Sequence, residues 1–491
     1  MSGQVLRIAI DPELSRRFGP ELHWTWRLLL VSAGWAWQEV ALDAECELAY
    51  VADPEQAPRA GLRICADHAA WAAPEAGRLR GVGEAAGLRF PVFEHSAGVV
   101  PGARPASAGG LVCPRDLAFD VFWLATGQDE PRQPKDRHGF ADLAGTPWQT
   151  AGVTRQALAS AARLWLEQTL QKLGCPPPQP RWPHGRRAAA ASGHDVDYPE
   201  VIRWLEPARV LARQGPAGLE AAWAVLSGRR HHWQFENWIK LEQSLGLRSA
   251  FYFVPRQGSL WEYATRTPDP FYDVAAPRFR ALFPMLAEAG CEIGLHASYN
   301  AYQGLDAMRA EKERLEAACG RPVVGNRHHY WHLDPAAPEA TLRLHEQAGF
   351  LYDSSLIHNR YLGWRRGLAE PFFPFHRRER RELRTLQVPV AWMDDQFFGF
   401  RADNPGEPAA QLRQLADQAA EQGGCFVTDI HDYVFDPALF PGWTSLYQSV
   451  WERLRARGDV WFATPAEVAA HWVGRAQALR AASRGLELGL E

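Results

Sequence analysis

From Ser249 to the C-terminus the chain alternates short apolar runs with longer stretches of helical periodicity. Ser249-Ala250-Phe251-Tyr252-Phe253-Val254 is a continuous apolar run ended by Pro255, which reads as a strand buried on both faces. Pro277 to Ala289 repeats apolar positions at helical spacing and leads into Cys291-Glu292-Ile293-Gly294-Leu295, a second strand. Further strands are predicted over 387–392, 425–430 and 460–463, with a helix over 408–422. This alternation predicts an α/β fold of parallel strands with helical crossovers, of the kind that closes into a barrel. In such folds active sites gather at the carboxyl ends of the strands.

Residues 1 to about 150 have a different rhythm, with short runs such as Leu48-Ala49-Tyr50-Val51 and Gly61-Leu62-Arg63-Ile64 set between Pro- and Gly-rich breaks. They read as a mixed α/β accessory domain. A helix follows: Leu158, Ala161, Ala162, Leu166 and Leu170 share one face, Thr154 is the expected N-cap and Gly174 the stop. Pro176-Pro177-Pro178-Gln179-Pro180 then predicts a stiff linker. The expected organisation is an accessory domain over 1–180, a barrel over 181–475 and a helical tail over 476–491.

Candidate chemistry begins at Gly193-His194-Asp195-Val196-Asp197. Side chains alternate in an extended chain, so Asp195 and Asp197 share a face and can point from one strand end into one pocket. His296 lies at the end of a predicted strand a hundred residues on, and His431 follows the run 425–430. All four fall where the predicted fold places an active site.

Bulk properties remove several classes. At 491 residues with a formal charge of −4, the chain has ample length for two or three domains and no global pull toward nucleic acid or anionic membranes. Its seven cysteines are widely spaced without a Cys-x-x-Cys pair, which argues against a structural zinc or a disulfide framework. Met1 to Leu30 lacks the pattern of a signal peptide, and the apolar stretch Leu28 to Trp37 is too short to span a bilayer. The expectation is a cytoplasmic protein without membrane insertion or nucleic-acid partner; its oligomeric state is open.

The stretch from about 185 to 470 resembles the NodB-like polysaccharide deacetylases, the family-4 carbohydrate esterases and their relatives. It carries, in order, His194-Asp195-Val196-Asp197, Glu292-Ile293-Gly294-Leu295-His296, Arg327-His328-His329-Tyr330, Tyr352-Asp353-Ser354-Ser355-Leu356, Gly363-Trp364-Arg365-Arg366-Gly367 and Asp429-Ile430-His431. Phe119-Asp120-Val121-Phe122-Trp123 and Asp136-Arg137-His138-Gly139-Phe140 resemble the uncharacterised domain that precedes this barrel in some bacterial members. The resemblance implies a distorted (β/α) barrel and a metal-dependent hydrolase that removes an N-acetyl group from a sugar or polysaccharide precursor, releasing an amino sugar and acetate. With no export signal in view, the carbohydrate substrate is expected to be a cytoplasmic, nucleotide- or lipid-linked precursor.

By the same resemblance Asp197 and His296 are ligands of a divalent metal, commonly zinc, and Asp195 is the general base, held ionised by Arg327. His431 is the expected general acid and Asp353 its orienting carboxylate. Tyr299, Tyr330 and Trp364 are candidates to line a sugar cleft, while Asp394-Asp395 either supports the site or caps a helix. The second motif departs from the family's pattern, which sets two histidines four residues apart; position 300 is Asn300. The third ligand is thus open between His329, His328 and the amide oxygen of Asn300. Two other readings stand beside this one: a non-sugar C–N hydrolase of the same architecture, and a degenerate member that binds a glycan without turnover.

Overall fold

The computed structural model describes residues 5–85, 87–96, 102–107, 109–136, 138–201, 203, 205–259, 261–262, 269–398 and 407–484. The predicted alternation folds as a nine-stranded parallel sheet, whose strands are β1 (Ala188–Val196), β2 (Ala250–Phe253), β3 (Glu292–Ala297), β4 (Gly325–His328), β5 (Tyr352–Asp353), β6 (Leu386–Gln387), β7 (Trp392–Met393), β8 (Cys425–Asp429) and β9 (Val460–Phe462). Their order is β6-β5-β4-β3-β2-β1-β8-β7, with β9 paired to the N-terminal half of β1. Laid flat, the seven spacings of that path would put its edges roughly 34 Å apart. The edge strands β6 and β7, however, are joined only by residues 388–391, which reach at most roughly 18 Å from Gln387 to Trp392. The sheet is therefore curled, as a distorted barrel requires.

The run expected as one strand over 387–392 is instead these two short edge strands. Pro389 has no N–H to give a ladder and interrupts the run at the seam. Elsewhere the continuous apolar runs behave as read: β2 and β8 are buried at every position. Gly193 shows how tightly the interior is filled, since a Cβ there would lie 2.7 Å from the Tyr252 ring and 2.9 Å from the Arg327 guanidinium.

The N-terminal part forms a six-stranded sheet whose inner strands Leu6–Ile10, Cys46–Val51, Ala60–Cys65 and Leu111–Cys113 are parallel. The helix Pro12–Ala33 starts at Asp11, whose side chain accepts the Glu13 and Leu14 amides. The predicted helix after residue 154 runs over Leu158–Lys172, but Thr154 does not cap it. Its first free amides, those of Ala159 and Ser160, reach the Gly367 carbonyl, while the Thr154 carbonyl accepts the Trp364 amide. A tertiary contact has taken the cap's place.

The Pro-rich run is strapped rather than free: Trp35 Nε1 donates to the Pro176 carbonyl, the Gln179 amide to Gly34, and Arg475 to Pro180. Arg475 comes from the helix Pro465–Arg484, which continues unbroken past residue 475. The core of the N-terminal part takes in Leu342, Leu356, Leu368 and Phe372 from beyond residue 180. Among the described residues, no helix is long and apolar enough to cross a membrane.

Candidate metal centre and acid–base pair

Alternation along β1 sends Asp195 and Asp197 inward and His194 the other way. His194 is buried against Glu242, with Nε2 2.8 Å from Oε1, and takes no part in the site. Asp195 accepts a 2.9 Å bond from Arg327 Nη1, and the same nitrogen lies 2.8 Å from Asp429 at the end of β8. Arg327 Nε donates to Ser354 Oγ, and its guanidinium stacks 4.3 Å over the Tyr252 ring. The cation is fully buried, so it fixes Asp195 in place and holds Asp429 beside it, whose carboxyl burial pushes well above the usual range.

Asp197, His296 and His329 converge, each offering a ligand atom within 4.8 Å of the others. His296 Nδ1 lies 2.8 Å from the Arg327 carbonyl, which can only accept, so the proton sits on Nδ1 and Nε2 is left facing Asp197 at 3.3 Å. His329 is turned by Asp269, whose Oδ1 is 3.2 Å from Nδ1, and its Nε2 lies 3.5 Å from Asp197. Asp197 Oδ1 and His329 Nε2 are buried without a hydrogen-bond partner. One carboxylate and two imidazole nitrogens, orphaned toward a common point, fit the donor set of a divalent cation with an open position.

The electrostatics agree. Burial would raise the Asp197 carboxyl, but His329, His296 and His431 hold it well below the usual carboxylate range. Burial would lower His329, yet Asp197 and Asp269 bring it up to about 9.

His431 comes from the turn after β8, and its Nε2 stands 3.5 Å from Asp197 Oδ2. Asp394, just past β7, grips it twice: Oδ1 is 2.8 Å from Nδ1 and Oδ2 accepts the His431 amide at 2.8 Å. Burial opposes the protonated ring, but Asp394 outweighs it and His431 is raised well above the ordinary imidazole range.

Several expected residues lie elsewhere. Asp353 does not orient His431; it accepts from Asn326 Nδ2 and from the amide and hydroxyl of Ser355. Asp394 holds the position assigned to it. Asn300 is exposed beyond the end of β3, its amide oxygen 3.5 Å from Gln303 Nε2. His328 turns away, with Nε2 2.8 Å from His345 Nε2. Trp364 is 0% exposed and belongs to the core instead of the cleft. Its neighbours Arg365 and Arg366 clamp Glu130 of the N-terminal part, so this segment anchors that part to the barrel. Tyr299 packs its ring 4.1 Å from His332 and bonds His138 through its hydroxyl. Tyr330 alone of the three proposed aromatics lines the cavity, at a backbone φ of +57°.

That cavity encloses about 530 Å³ and joins Asp195, Asp197, His296, His329 and His431 to an aromatic wall of Tyr433, Phe440 and Trp443. A larger groove of about 810 Å³ lies between the helices Leu158–Lys172 and Pro408–Glu421, and neither histidine nor cysteine lines it. Chemistry therefore belongs to the smaller cavity. Sequence reasoning assigned no role to Asp269 or Tyr433, which have no motif of their own; Asp394 carried a signal only through its place after a strand.

No family model matches the chain, and no curated protein does. Among solved structures it is similar to a polysaccharide deacetylase of Mycobacterium smegmatis, with 21% identity over 60% of this chain and 93% of that one and a TM-score of 0.39. It is also similar to PuuE allantoinase, at 18% identity over 61% and 94% of the two chains and a TM-score of 0.39. A polysaccharide deacetylase of Pseudomonas aeruginosa PAO1 shows 19% identity over 61% and 95%, with a TM-score of 0.38. The functional reading rests on the site's own side chains.

Proposed function

We propose that the chain is a metal-dependent hydrolase that removes an N-acetyl group from a sugar or polysaccharide precursor. The observation that carries this reading is the convergence of three ligand atoms, from Asp197, His296 and His329, with an arginine-held carboxylate and a carboxylate-held histidine at their edge. A divalent cation held by those three residues would polarise the scissile carbonyl and acidify a water beside it.

Asp195, held by the Arg327 guanidinium, takes the proton of the attacking water. His431, kept protonated by Asp394, gives its Nε2 proton to the departing amine. The base and the acid come from different strands: Asp195, on β1, has Oδ2 3.4 Å from His296 Nε2, and His431, after β8, has Nε2 3.5 Å from Asp197 Oδ2. Acid and base are thus separate groups. The aromatic wall offers flat apolar faces against which a sugar ring can stack.

The test is acetate release from N-acetylated sugars by zinc-reconstituted protein, read beside metal content. Asp195→Asn is expected to keep about one metal per chain and lose hydrolysis. Failure of the reconstituted protein to hold any divalent metal, or full activity in Asp195→Asn, would overturn the reading.

A further inference from the structure

The helices α1 (Glu206–Gln214) and α2 (Leu219–Leu226) form a hairpin beside the cavity. Four of the five most exposed large apolar side chains among the described residues belong to it: Leu211 at 36%, Leu219 at 62%, Trp223 at 63% and Leu226 at 48%. Leu219, Trp223 and Leu226 are spaced i, i+4, i+7, so they share one face of α2, while Ala221, Ala222 and Val225 face the barrel core. The outer face is thus apolar by arrangement rather than through scattered single residues. Ala208, Ala212 and Ala217 are exposed along the same hairpin, beside the charged side chains of Arg213 and Glu220.

Charge says what that face meets. The segment 203–230 carries five arginines, at 203, 209, 213, 229 and 230, against Glu206 and Glu220, in a chain whose overall charge is −4. Arg209 and Arg213 are both paired with Glu206 and Arg230 with Asp436, while Arg203 and Arg229 are exposed at the hairpin's margins. An indole and leucines flanked by exposed arginines form the pattern of a helix lying in a membrane interface, with the apolar side chains among acyl chains and the guanidinium groups at anionic headgroups.

We infer that α1 and α2 dock the protein on an anionic phospholipid bilayer, lying in its surface without spanning it. The other side of α1 is part of the cavity: Glu206, Arg209, Ala212 and Arg213 line it. Docking would therefore set the cavity mouth at the bilayer surface. The docking stands by itself; its corollary, that the acylated sugar is borne by a lipid, rests on the hydrolase reading above.

The full chain is sedimented with vesicles of phosphatidylglycerol and phosphatidylcholine, and with phosphatidylcholine alone. It is expected to bind the anionic vesicles, to release them as salt is raised, and to bind neutral vesicles weakly. Trp223→Glu and Leu219→Glu, at positions more than half exposed, should keep the helical circular dichroism and metal content of the parent while losing at least roughly tenfold in vesicle affinity. Arg229→Glu should weaken binding to anionic vesicles alone. Absence of binding to anionic vesicles, or equal binding by Trp223→Glu, overturns the inference. So does a dimer of the parent chain that Trp223→Glu dissolves, since the face would then belong to a second copy. Because vesicle binding needs no turnover, its failure is distinct from failure of the hydrolase reading.

Discussion

Metal binding by the metal-free protein should depend steeply on pH up to about 9. His329 can take a cation only through Nε2, because Nδ1 is turned to Asp269. Against burial, the Asp197 and Asp269 carboxylates hold this imidazole at about 9, where an unperturbed one titrates at about 6.5. The proton therefore sits on the ring at neutral pH and must leave before a cation enters. Two pH units below that midpoint only about one ring in a hundred is free, so the apparent affinity at pH 7 is about a hundredfold below its plateau, a cost of about 2.7 kcal/mol.

Chelator competition should show the apparent Kd for zinc falling about tenfold per pH unit between 6 and 8 and levelling near 9. Calorimetry in buffers of different ionisation enthalpy should find about one proton released per metal at pH 7. The same proton stabilises the metal-free fold: its contribution is complete below about 6.5 and is lost as pH rises through about 9. The Tm of the metal-free protein should therefore decline over that window. Asp269→Asn should move the break downward. A Kd already level from pH 6.5 upward would refute the reasoning, since the carboxylates would then not be holding a proton on His329.

Asn300→Ala should leave metal stoichiometry and affinity unchanged, whereas His296→Ala should abolish tight binding; equilibrium dialysis separates the two. His431→Ala should cost roughly 10²–10⁴ in kcat, and Asp394→Asn at least about tenfold with metal retained. Asp353→Asn should instead leave kcat near the parent value and lower stability by about 1–3 kcal/mol, read by denaturant melts; a kcat loss matching that of Asp394→Asn would restore the role first assigned to Asp353. Trp364→Ala should destabilise by about 3–5 kcal/mol with KM unchanged, since the indole is packed in the core.

The strands that could be read in the sequence are those whose burial is local in character. β2 throughout and β8 over its first three residues, Cys425-Phe426-Val427, are apolar at consecutive positions because neighbouring strands and covering helices bury both faces. The 387–392 run misled because its apolar character is genuine while Pro389 sits at the barrel seam, where two edges meet without a ladder between them. Thr154 had the chemistry of a cap, but the Gly367 carbonyl, two hundred residues away, receives the helix's first amides. Asp353 and Asp394 show the same limit at the site. Each follows or ends a short strand, and only the curl of the sheet decides that β7, beside β8, brings its carboxylate to His431.

Asn300 looks like a broken motif only if the chain continues as a helix after His296, so that positions 296 and 300 fall on one turn. It does not: β3 ends at Ala297, and Asn300 precedes the short 3₁₀ turn Ala301–Gln303 on the surface. The second imidazole comes from the next strand. β3 and β4 are parallel neighbours with His296 opposite Arg327, so the residue two positions beyond Arg327 emerges from the adjacent strand end on the same inward side. Strands in a sheet lie roughly 4.8 Å apart, and the His296 and His329 ring centroids are 5.1 Å apart. The spacing that a helical turn would have given two histidines of one motif is here given by the sheet to two histidines of different motifs. Asn300 at the surface therefore leaves two imidazole nitrogens, from His296 and His329, facing Asp197.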